Sequence, residues 1–401
     1  MPEFRYVVAD ANGQTINGTL EADNEEVCRR IIGQRGLYCL ELSETSLASR
    51  SLSFGKTKFT TADLNVFCRQ FSTMLTSGIS VIKSLDIMHS QTEKPQLKAV
   101  IKNVYENVQK GQSLSSAFKS QSKAFPDLLI NMVEAGEVSG TLDRIILKVA
   151  DHFEKDVKTQ NKVKGAMVYP MVLGGLTIGV VTLMLVFVLP TFINMFKSLG
   201  AKLPLPTQIL LAISGFITSS WYIIIFVGIA IAVAWMNYLK SSSGRLQWDT
   251  IKLKLPIVGK MNRTVACARF CRTMSTIMQS GIPLLKSLEV TARVLGNKFY
   301  EKALNEIKEE IRRGTPLSQA IKKADIFPMM LYSMVNIGEE SGTLDEILAK
   351  TATFYDEEAD AAISKTISML EPLMIVIMAL CVGFIVISII TPVYSMMNNI
   401  K

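Results

Sequence analysis

One short string whose residue types could do chemistry occurs twice in the chain. Residues 136–145 read GEVSGTLDRI and residues 338–347 read GEESGTLDEI, 202 positions apart. A serine between an acidic residue and a glycine suggests a nucleophile. The nucleophile elbow of hydrolases, however, needs Gly-x-Ser-x-Gly, whereas the spacing here is Gly-x-x-Ser-Gly. No general base accompanies either serine, so the sequence predicts no catalytic residue.

A structural role accounts for the same string. In each copy the first glycine is expected to end a helix in the left-handed C′ conformation. The Ser-Gly pair is expected to form the corner, and the threonine to cap the next helix. In the second copy Glu346 would complete a capping box. The residues given these roles are Gly136, Ser139, Gly140 and Thr141, with Gly338, Ser341, Gly342 and Thr343 in the second copy.

Acidic residues at matching positions of the two copies are candidate partner contacts. The glutamate after the first glycine either anchors the corner by a salt bridge or faces a partner. The stretches DHFEKD (151–156) and FYDEEAD (354–360) are solvated helix faces, or else bind a cation or a basic partner. The candidate contact residues are Glu137, Glu339, Glu154, Asp156, Asp356 and Glu358.

Several kinds of site are excluded by missing motifs. The sequence contains no Gly-x-x-x-x-Gly-Lys-Ser/Thr loop and no His-Glu-x-x-His, so no nucleotide, metal or other cofactor is predicted. Only two histidines are present, and His152 aligns with Phe354, so a duplicated site cannot depend on it. Cys267 and Cys271 leave metal binding open, but packed, reduced thiols are the favoured interpretation.

The duplication extends well beyond the opening string. FCRQFSTMLTSGISVIKSLDI at 67–87 matches FCRTMSTIMQSGIPLLKSLEV at 270–290, an offset of 203. The offset is 202 from the opening string through Pro170 and Pro372. Apolar residues three and four apart predict helices, which Gly78 and Gly281 are expected to end. Each copy is therefore predicted to be a bundle of short helices that leads into a membrane span.

Three charge-free apolar stretches predict three transmembrane helices. They are residues 171–189, 209–239 and 372–400, and about 20 helical residues suffice to cross a bilayer. Because none contains an ionisable residue, a transporter is disfavoured. The net charge is +8, but no basic stripe with aromatic residues suggests nucleic acid. Lysines flank the first span's start and the second span's end, which places the N-terminus and both repeats in the cytoplasm.

The predicted fold class is an all-α membrane protein with two duplicated cytoplasmic helical bundles, three transmembrane helices and a small N-terminal α+β module. The predicted boundaries are 1–45 for the module, 46–60 for a linker, 61–167 for the first bundle, 168–190 for the first span, 191–208 for an outside loop, 209–239 for the second span, 240–264 for a cytoplasmic linker, 265–370 for the second bundle, 371–392 for the third span and 393–401 for an outside tail.

The paired strings resemble a known family. The two GExSGTLD strings, the two SGI…KSL segments and Glu371-Pro372 are similar to the type II secretion F family, which includes GspF and PilC, over essentially the whole chain. FINMFKSLGAKLP and GNKFYEKALNEI look more like the type IV pilus (PilC) branch. The first copy departs from the pattern, because Tyr169 stands where the second copy has Glu371.

The resemblance implies a non-enzymatic inner-membrane platform for filament assembly, with bundles of about six helices each. The implied partners are a hexameric assembly ATPase of the PilB/GspE type, prepilins or pseudopilins, inner-membrane adaptor proteins and further copies of the chain. Three alternatives stay open at this point: a GspF-type platform of a secretion pseudopilus, a repeat-built membrane transporter, and a membrane-bound hydrolase that uses Ser139 or Ser341.

Overall fold

The computed structural model describes residues 3–9, 15–21, 24–34, 38–44, 59–188, 190–191, 205–255 and 258–399. The chain divides into two units, residues 1–58 and residues 59–401. Residues 46–58 of the predicted linker, and 192–204 of the predicted outside loop, lie outside the described residues.

The first unit contains a small antiparallel sheet and one helix. Its elements are β1 (Glu3–Ala9), β2 (Thr15–Glu21), α1 (Glu25–Gln34) and β3 (Tyr38–Glu44). The strand order is β2-β1-β3, and both pairs are antiparallel. Val8 and Ile32 are buried.

The first repeat contributes six helices. They are α2 (Thr61–Thr76), α3 (Val81–Gln91), α4 (Pro95–Gln109), α5 (Leu114–Ser120), α6 (Asp127–Ser139) and α7 (Leu142–Leu183). The start of α2 is fixed by a capping box, because Thr60 and Asp63 each accept the other's backbone N–H. Gly78 follows the end of α2 with a φ of 80°, as predicted.

The second repeat has the same six helices. They are α11 (Val258–Met278), α12 (Leu284–Val294), α13 (Lys298–Arg312), α14 (Leu317–Ala324), α15 (Met329–Ser341) and α16 (Leu344–Asn399). Gly281 follows α11 with a φ of 78°. Much of the predicted linker 240–264 is helical, because α10 (Ser242–Lys254) occupies it and α11 begins seven residues before 265.

The corner in the duplicated string is made by a different glycine from the one predicted. Gly140 and Gly342 take the left-handed conformation, with φ of 69° and 71°, whereas Gly136 and Gly338 lie inside α6 and α15. Their role is close packing, because a Cβ on Gly338 would lie 2.9 Å from the Cα of Leu344. The matching Cβ on Gly136 would lie 3.1 Å from the Cα of Leu142.

In the first copy the threonine of the string does not cap the next helix through its side chain, contrary to the prediction. Thr141 makes no side-chain cap hydrogen bond. Its hydroxyl lies 2.7 Å from the Ser139 hydroxyl, and Thr343 pairs with Ser341 at the same distance. Each serine also donates to a carbonyl one turn earlier in its helix, at 2.8 Å. These hydroxyls therefore close the corner.

Each bundle has an aromatic centre. In the first repeat Phe118 and Phe125 lie 4.4 Å apart, and in the second Phe270 and Phe327 lie 4.7 Å apart, between ring centroids. Aromatic pairs at such distances add specificity beyond apolar burial. The first repeat's core also includes Ile277 and Val290 of the second repeat, so the two bundles pack directly against each other.

Two helices run without interruption from a bundle into an apolar segment. Helices α7 and α16 continue through the predicted boundaries at 168 and 371, and Pro170 lies within α7. The segments Leu142–Val188 and Leu344–Ser388 are long and apolar enough to cross a membrane. A π-helical stretch (Met184–Val188) follows α7, and α16 continues to Asn399 through most of the predicted tail.

The predicted second span is not one continuous helix. Residues 209–239 are divided between α8 (Leu205–Ser219) and α9 (Trp221–Lys240), with Ser220 between them. Helix α8 makes buried hydrogen bonds to α16 and to the π-helical stretch that follows α7. Thr207 donates to the carbonyl of Ser388 at 2.6 Å, and Ser214 donates to the carbonyl of Leu185 at 2.7 Å. Such polar contacts hold apolar helices together where water is absent.

Candidate functional site

A set of interacting charges lies where the two repeats meet. Arg272 of α11 donates from Nη1 to Asp156 of α7 at 3.2 Å and from Nη2 to Asp356 of α16. The Arg272 and Asp156 side chains are each only 13% exposed. One guanidinium thus joins a carboxylate from each repeat, which suits its planar arrangement of donors.

Further ion pairs surround this arginine. Arg269 lies 3.4 Å from Asp156, Lys155 lies 3.7 Å from Asp356, and Lys162 lies 3.2 Å from Asp360. They border a cavity of about 130 Å³. We call this set the inter-repeat ion cluster; its members are Lys155, Asp156, Lys162, Arg269, Arg272, Asp356 and Asp360.

His152 lies beside the inter-repeat ion cluster and is only 2% exposed. Neither ring nitrogen has a hydrogen-bond partner in the described part of the chain. Burial lowers the pKa of His152 to about 4; Asp156 opposes this effect, while Arg272 and Arg269 reinforce it. The imidazole is therefore neutral at pH 7 and packs as an apolar ring.

A second set of contacts joins the repeats away from the cluster. Arg293 of α12 donates to Asp127 of α6 at 2.6 Å, and Lys148 of α7 donates to the carbonyl of Gln279 at 3.3 Å. Desolvation lowers the pKa of Lys148. Together with the buried Ile277, these contacts fix α6 and α7 against α11 and α12.

The two glutamates of the duplicated string bind within their own repeats. Glu137 accepts the backbone N–H groups of Leu114 and Ser115 at 2.5 and 3.0 Å. Glu339 accepts the corresponding groups of Leu317 and Ser318 at 2.5 and 2.8 Å. Each carboxylate caps the N-terminus of a short helix, where the helix dipole favours negative charge. They therefore anchor the corner, although through helix caps rather than salt bridges.

The other four candidate residues differ in whether they take part in the contact between repeats. Asp156 and Asp356 belong to the inter-repeat ion cluster. Glu154 instead pairs with Lys158 at 2.6 Å and with Arg69 of its own repeat, and hydrogen bonds from these two lower the pKa of Glu154. Glu358 is exposed on α16 and makes no ion pair with the described residues.

No group of three or more His, Cys, Asp or Glu side chains among the described residues is arranged to hold a metal ion. Cys267 and Cys271 are fully buried in the second core. Burial raises the pKa of the Cys267 thiol to about 12 and that of Cys271 well above its usual value. Both thiols are therefore protonated and unreactive at neutral pH.

Sequence reasoning missed the arginines at the centre of the inter-repeat contact. Arg272 occupies the third position of FCRT and Arg69 that of FCRQ. An arginine at the same place in both copies, on an apolar helix, is a signal that could have identified them. Their different uses depend on which face of each bundle meets the other, and that is set by tertiary packing.

Comparison with known proteins places this architecture in a family. The family model described as type II secretion system (T2SS), protein F, matches residues 67–190 and 270–392. The model for the N-terminal domain of type II secretion system protein F matches residues 1–43. Both matches to the first model therefore span a bundle together with the long helix that continues from it.

Relatives match this chain over nearly its whole length. The type IV pilus assembly protein PilC of Thermus thermophilus is 33% identical, with 100% of both chains covered. The pilus assembly protein TapC of Aeromonas hydrophila is 34% identical over 98% of this chain and 95% of its own. The type II secretion system protein F of Vibrio cholerae is 33% identical over 99% of each chain. The chain belongs to the type II secretion system protein F family.

Proposed function

We propose that this protein is a non-enzymatic inner-membrane platform for type IV pilus assembly. One observation carries the proposal: α7 and α16 each run unbroken from a bundle core into an apolar segment. A displacement of either bundle would therefore move a membrane helix as a rigid rod. This arrangement suits transmission of mechanical work from a cytoplasmic motor to subunits in the membrane.

The proposed topology has three membrane crossings with both bundles in the cytoplasm. Helices α7 and α16 lie side by side and parallel, because Lys162 meets Asp360 and a Cβ on Gly174 would meet Met374 at 3.5 Å. The chain must therefore return across the membrane between them. The α8–α9 segment lies between them in the chain and is apolar. Membrane-flanking lysines support the cytoplasmic placement of the bundles.

The proposed partners are those that the resemblance to the family implies. Energy would come from a separate hexameric assembly ATPase of the PilB/GspE type acting on the bundles. Prepilins would be received in the membrane, adaptor proteins would hold the complex, and copies of the chain would associate. A GspF-type platform of a secretion pseudopilus is the second candidate, since relatives of both kinds match with similar identity.

The test separates rigid coupling from mere presence of the protein. A deletion strain should lose surface pili, and the wild-type chain should restore them. Insertion of Gly-Pro-Gly between Lys164 and Gly165 interrupts α7 between bundle and span. We expect this variant to reach the membrane, to capture the assembly ATPase in detergent extracts, and to restore no pili. The same insertion after Glu93, in the turn between α3 and α4, is the matched control and should restore them.

Each alternative predicts a different result. A deletion strain that keeps its pili but retains secreted enzymes in the periplasm would assign the chain to a secretion pseudopilus. Solute flux in proteoliposomes that contain this chain alone would indicate a transporter. If the insertion at Lys164 restored pili as fully as the wild type, the rigid-coupling mechanism would be wrong.

A further inference from the structure

The contact between the two repeats joins two different faces of the same bundle fold. The first repeat contributes a face of α6 and α7. The second contributes a face of α11 and α12, together with Asp356 and Asp360 of α16. We define the α6–α7 face by Asp127, Lys148, His152 and Asp156, and the α11–α12 face by Arg269, Arg272, Ile277 and Val290. The contact is therefore heterologous, since a two-fold arrangement would use the same face on both sides.

A heterologous contact within a tandem repeat leaves one face of each repeat without its counterpart. At the repeat offsets, the α15–α16 face consists of Met329, Lys350, Phe354 and Glu358, and the α2–α3 face consists of Val66, Arg69, Met74 and Ile87. Among the described residues, no ion pair or hydrogen bond joins the α2–α3 face to the second repeat.

These two faces expose apolar side chains, and Phe354 and Met74 are more exposed than their equivalents His152 and Ile277. Met329 is 65% exposed. Phe354 is 40% exposed, whereas its equivalent in the first repeat, His152, is only 2% exposed. Val66 is 54% exposed, and Met74 is half-buried where the equivalent Ile277 is fully buried. Exposed apolar side chains clustered on a defined face are typical of interaction surfaces.

We propose that a second copy of this chain docks its α2–α3 face on the α15–α16 face, so that the contact between repeats recurs between chains. Arg69 of the second copy then reaches Glu358, as Arg272 reaches Asp156 within the chain. Met74 and Ile87 cover the α15–α16 face, as Ile277 and Val290 cover the α6–α7 face. This docking rests on the proposed function, which includes self-association of the chain, and it names the two surfaces that would meet.

The membrane permits this arrangement. Lys155 meets Asp356 and Lys162 meets Asp360, so α7 and α16 run in the same direction with equivalent levels close together. Because the two helices are parallel, the rotation that superposes one repeat on the other has its axis close to the helix direction. It therefore leaves the direction of the membrane normal unchanged. A further chain added by the same rotation spans the same bilayer, and successive additions give a ring or a row.

The contact between chains is weaker than the contact within the chain. The pair Lys155 and Asp356 would be replaced by Glu357 and Glu154, which repel each other. Arg269, Arg293 and Lys162 would be replaced by Val66, Ser90 and Ser364. The three ion pairs that these cations form across the contact would therefore be lost. We therefore expect the association between chains to be reversible.

Crosslinking of the full chain in membranes tests the proposed faces. Val66→Cys is placed on one tagged copy and Glu358→Cys on a differently tagged copy, because the equivalent Arg269 and Asp156 touch at 3.4 Å. A short bis-maleimide should link the two tags, with about tenfold more product than the matched control pair Val66→Cys and Lys302→Cys. Lys302 is 67% exposed on α13, away from both faces.

Two kinds of crosslinking result would contradict the proposal. Equal yields for the test and control pairs would show that these faces do not meet. Dominant linkage between two Val66→Cys copies, or between two Glu358→Cys copies, would show an isologous dimer instead. The yield is read without reference to filaments, so a wrong platform function and a wrong interface give different results.

A second variant separates docking from folding. Phe354→Glu introduces a charge at the centre of the α15–α16 face and should lower the crosslinking yield of the test pair about tenfold. Val138→Glu is the matched control, because Val138 is 87% exposed on α6, and it should leave the yield unchanged. An unchanged yield with Phe354→Glu would contradict the proposal.

Discussion

The two repeats place the same arginine in different environments. Arg272 joins Asp156 of the other repeat to Asp356 of its own and is 13% exposed. Arg69 pairs with Asp151 and Glu154 of its own repeat and is 40% exposed. Duplication therefore supplied two equivalent helices with equivalent arginines, and the contact between repeats uses only one of them.

By contrast, the corner within each repeat is the same in both. Glu137 and Glu339 cap equivalent helices, and Gly140 and Gly342 take equivalent left-handed conformations. The contacts of the corner, which are the same in both copies, maintain each bundle. The contacts of Arg272, which differ from those of Arg69, join the two bundles. Variants at equivalent positions can test this division, since they should have equal effects at the corner and unequal effects at the contact.

The largest effect is expected at the close approach inside the corner. Gly338→Val and Gly136→Val place a Cβ 2.9 and 3.1 Å from the backbone of the next helix. Relief of this clash requires the backbone of that helix to shift, which costs more free energy than a side-chain rearrangement. Each variant should lower the free energy of unfolding by about 3 kcal/mol or more, measured by urea titration of the purified chain. A loss at only one of the two positions would contradict the equality of the two corners.

Unequal effects are expected for the two arginines. Arg272→Ala leaves the largely buried Asp156 and Asp356 with only the more distant Arg269 and Lys155 as partners. It should cost about 3 kcal/mol of unfolding free energy. Arg69→Ala, the matched variant, removes exposed ion pairs and should cost about 1 kcal/mol or less. Urea titrations of both variants measure the difference, and equal losses would mean that the inter-repeat ion cluster adds nothing specific.

The repeated bundles could be predicted from the sequence, because their signals are local or periodic. Apolar residues three and four apart indicate helices whatever they pack against. Gly78 and Gly281 follow these helices as expected, and both take the left-handed conformation. The choice between Gly136 and Gly140 as the corner could not be predicted. It depends on how closely Leu142 approaches α6, and that distance is set by the packing of two helices.

The candidate site was predictable only in part for the same reason. Asp156 and Asp356 attract attention as acidic residues at the end of each bundle, but their common partner Arg272 comes from a helix more than 80 residues away from either. The predicted second span shows a similar limit. Composition indicates an apolar segment, whereas the break at Ser220 between α8 and α9 leaves no mark in hydropathy.

A smaller, pH-dependent effect distinguishes His152 from its counterpart Phe354. The pKa of His152 is about 4 in the folded chain and about 6.5 in the unfolded chain, so the unfolded chain binds the extra proton. Stability is therefore fully present above pH 6.5 and falls as the pH drops toward 4. Between pH 7 and pH 5 the contribution lost is about 2 kcal/mol.

His152→Phe should remove this part of the pH dependence, as measured by unfolding free energies at pH 7 and pH 5. Phe354→His is the matched variant: its side chain replaces one that is 40% exposed, so little pH dependence should be added. If His152→Phe kept the full loss at pH 5, other groups would be responsible for the acid sensitivity of the contact between repeats.

The smallest effect is expected for the serines that first suggested chemistry. Ser139 and Ser341 donate to carbonyls of their own helices and pair with Thr141 and Thr343. Ser139→Ala and Ser341→Ala therefore remove exposed hydrogen bonds and should each cost about 0.5 kcal/mol. Both variants should restore pili in a deletion strain. Loss of pili without loss of stability would revive the hydrolase alternative, and an effect at one serine alone would extend the asymmetry of the repeats to their corners.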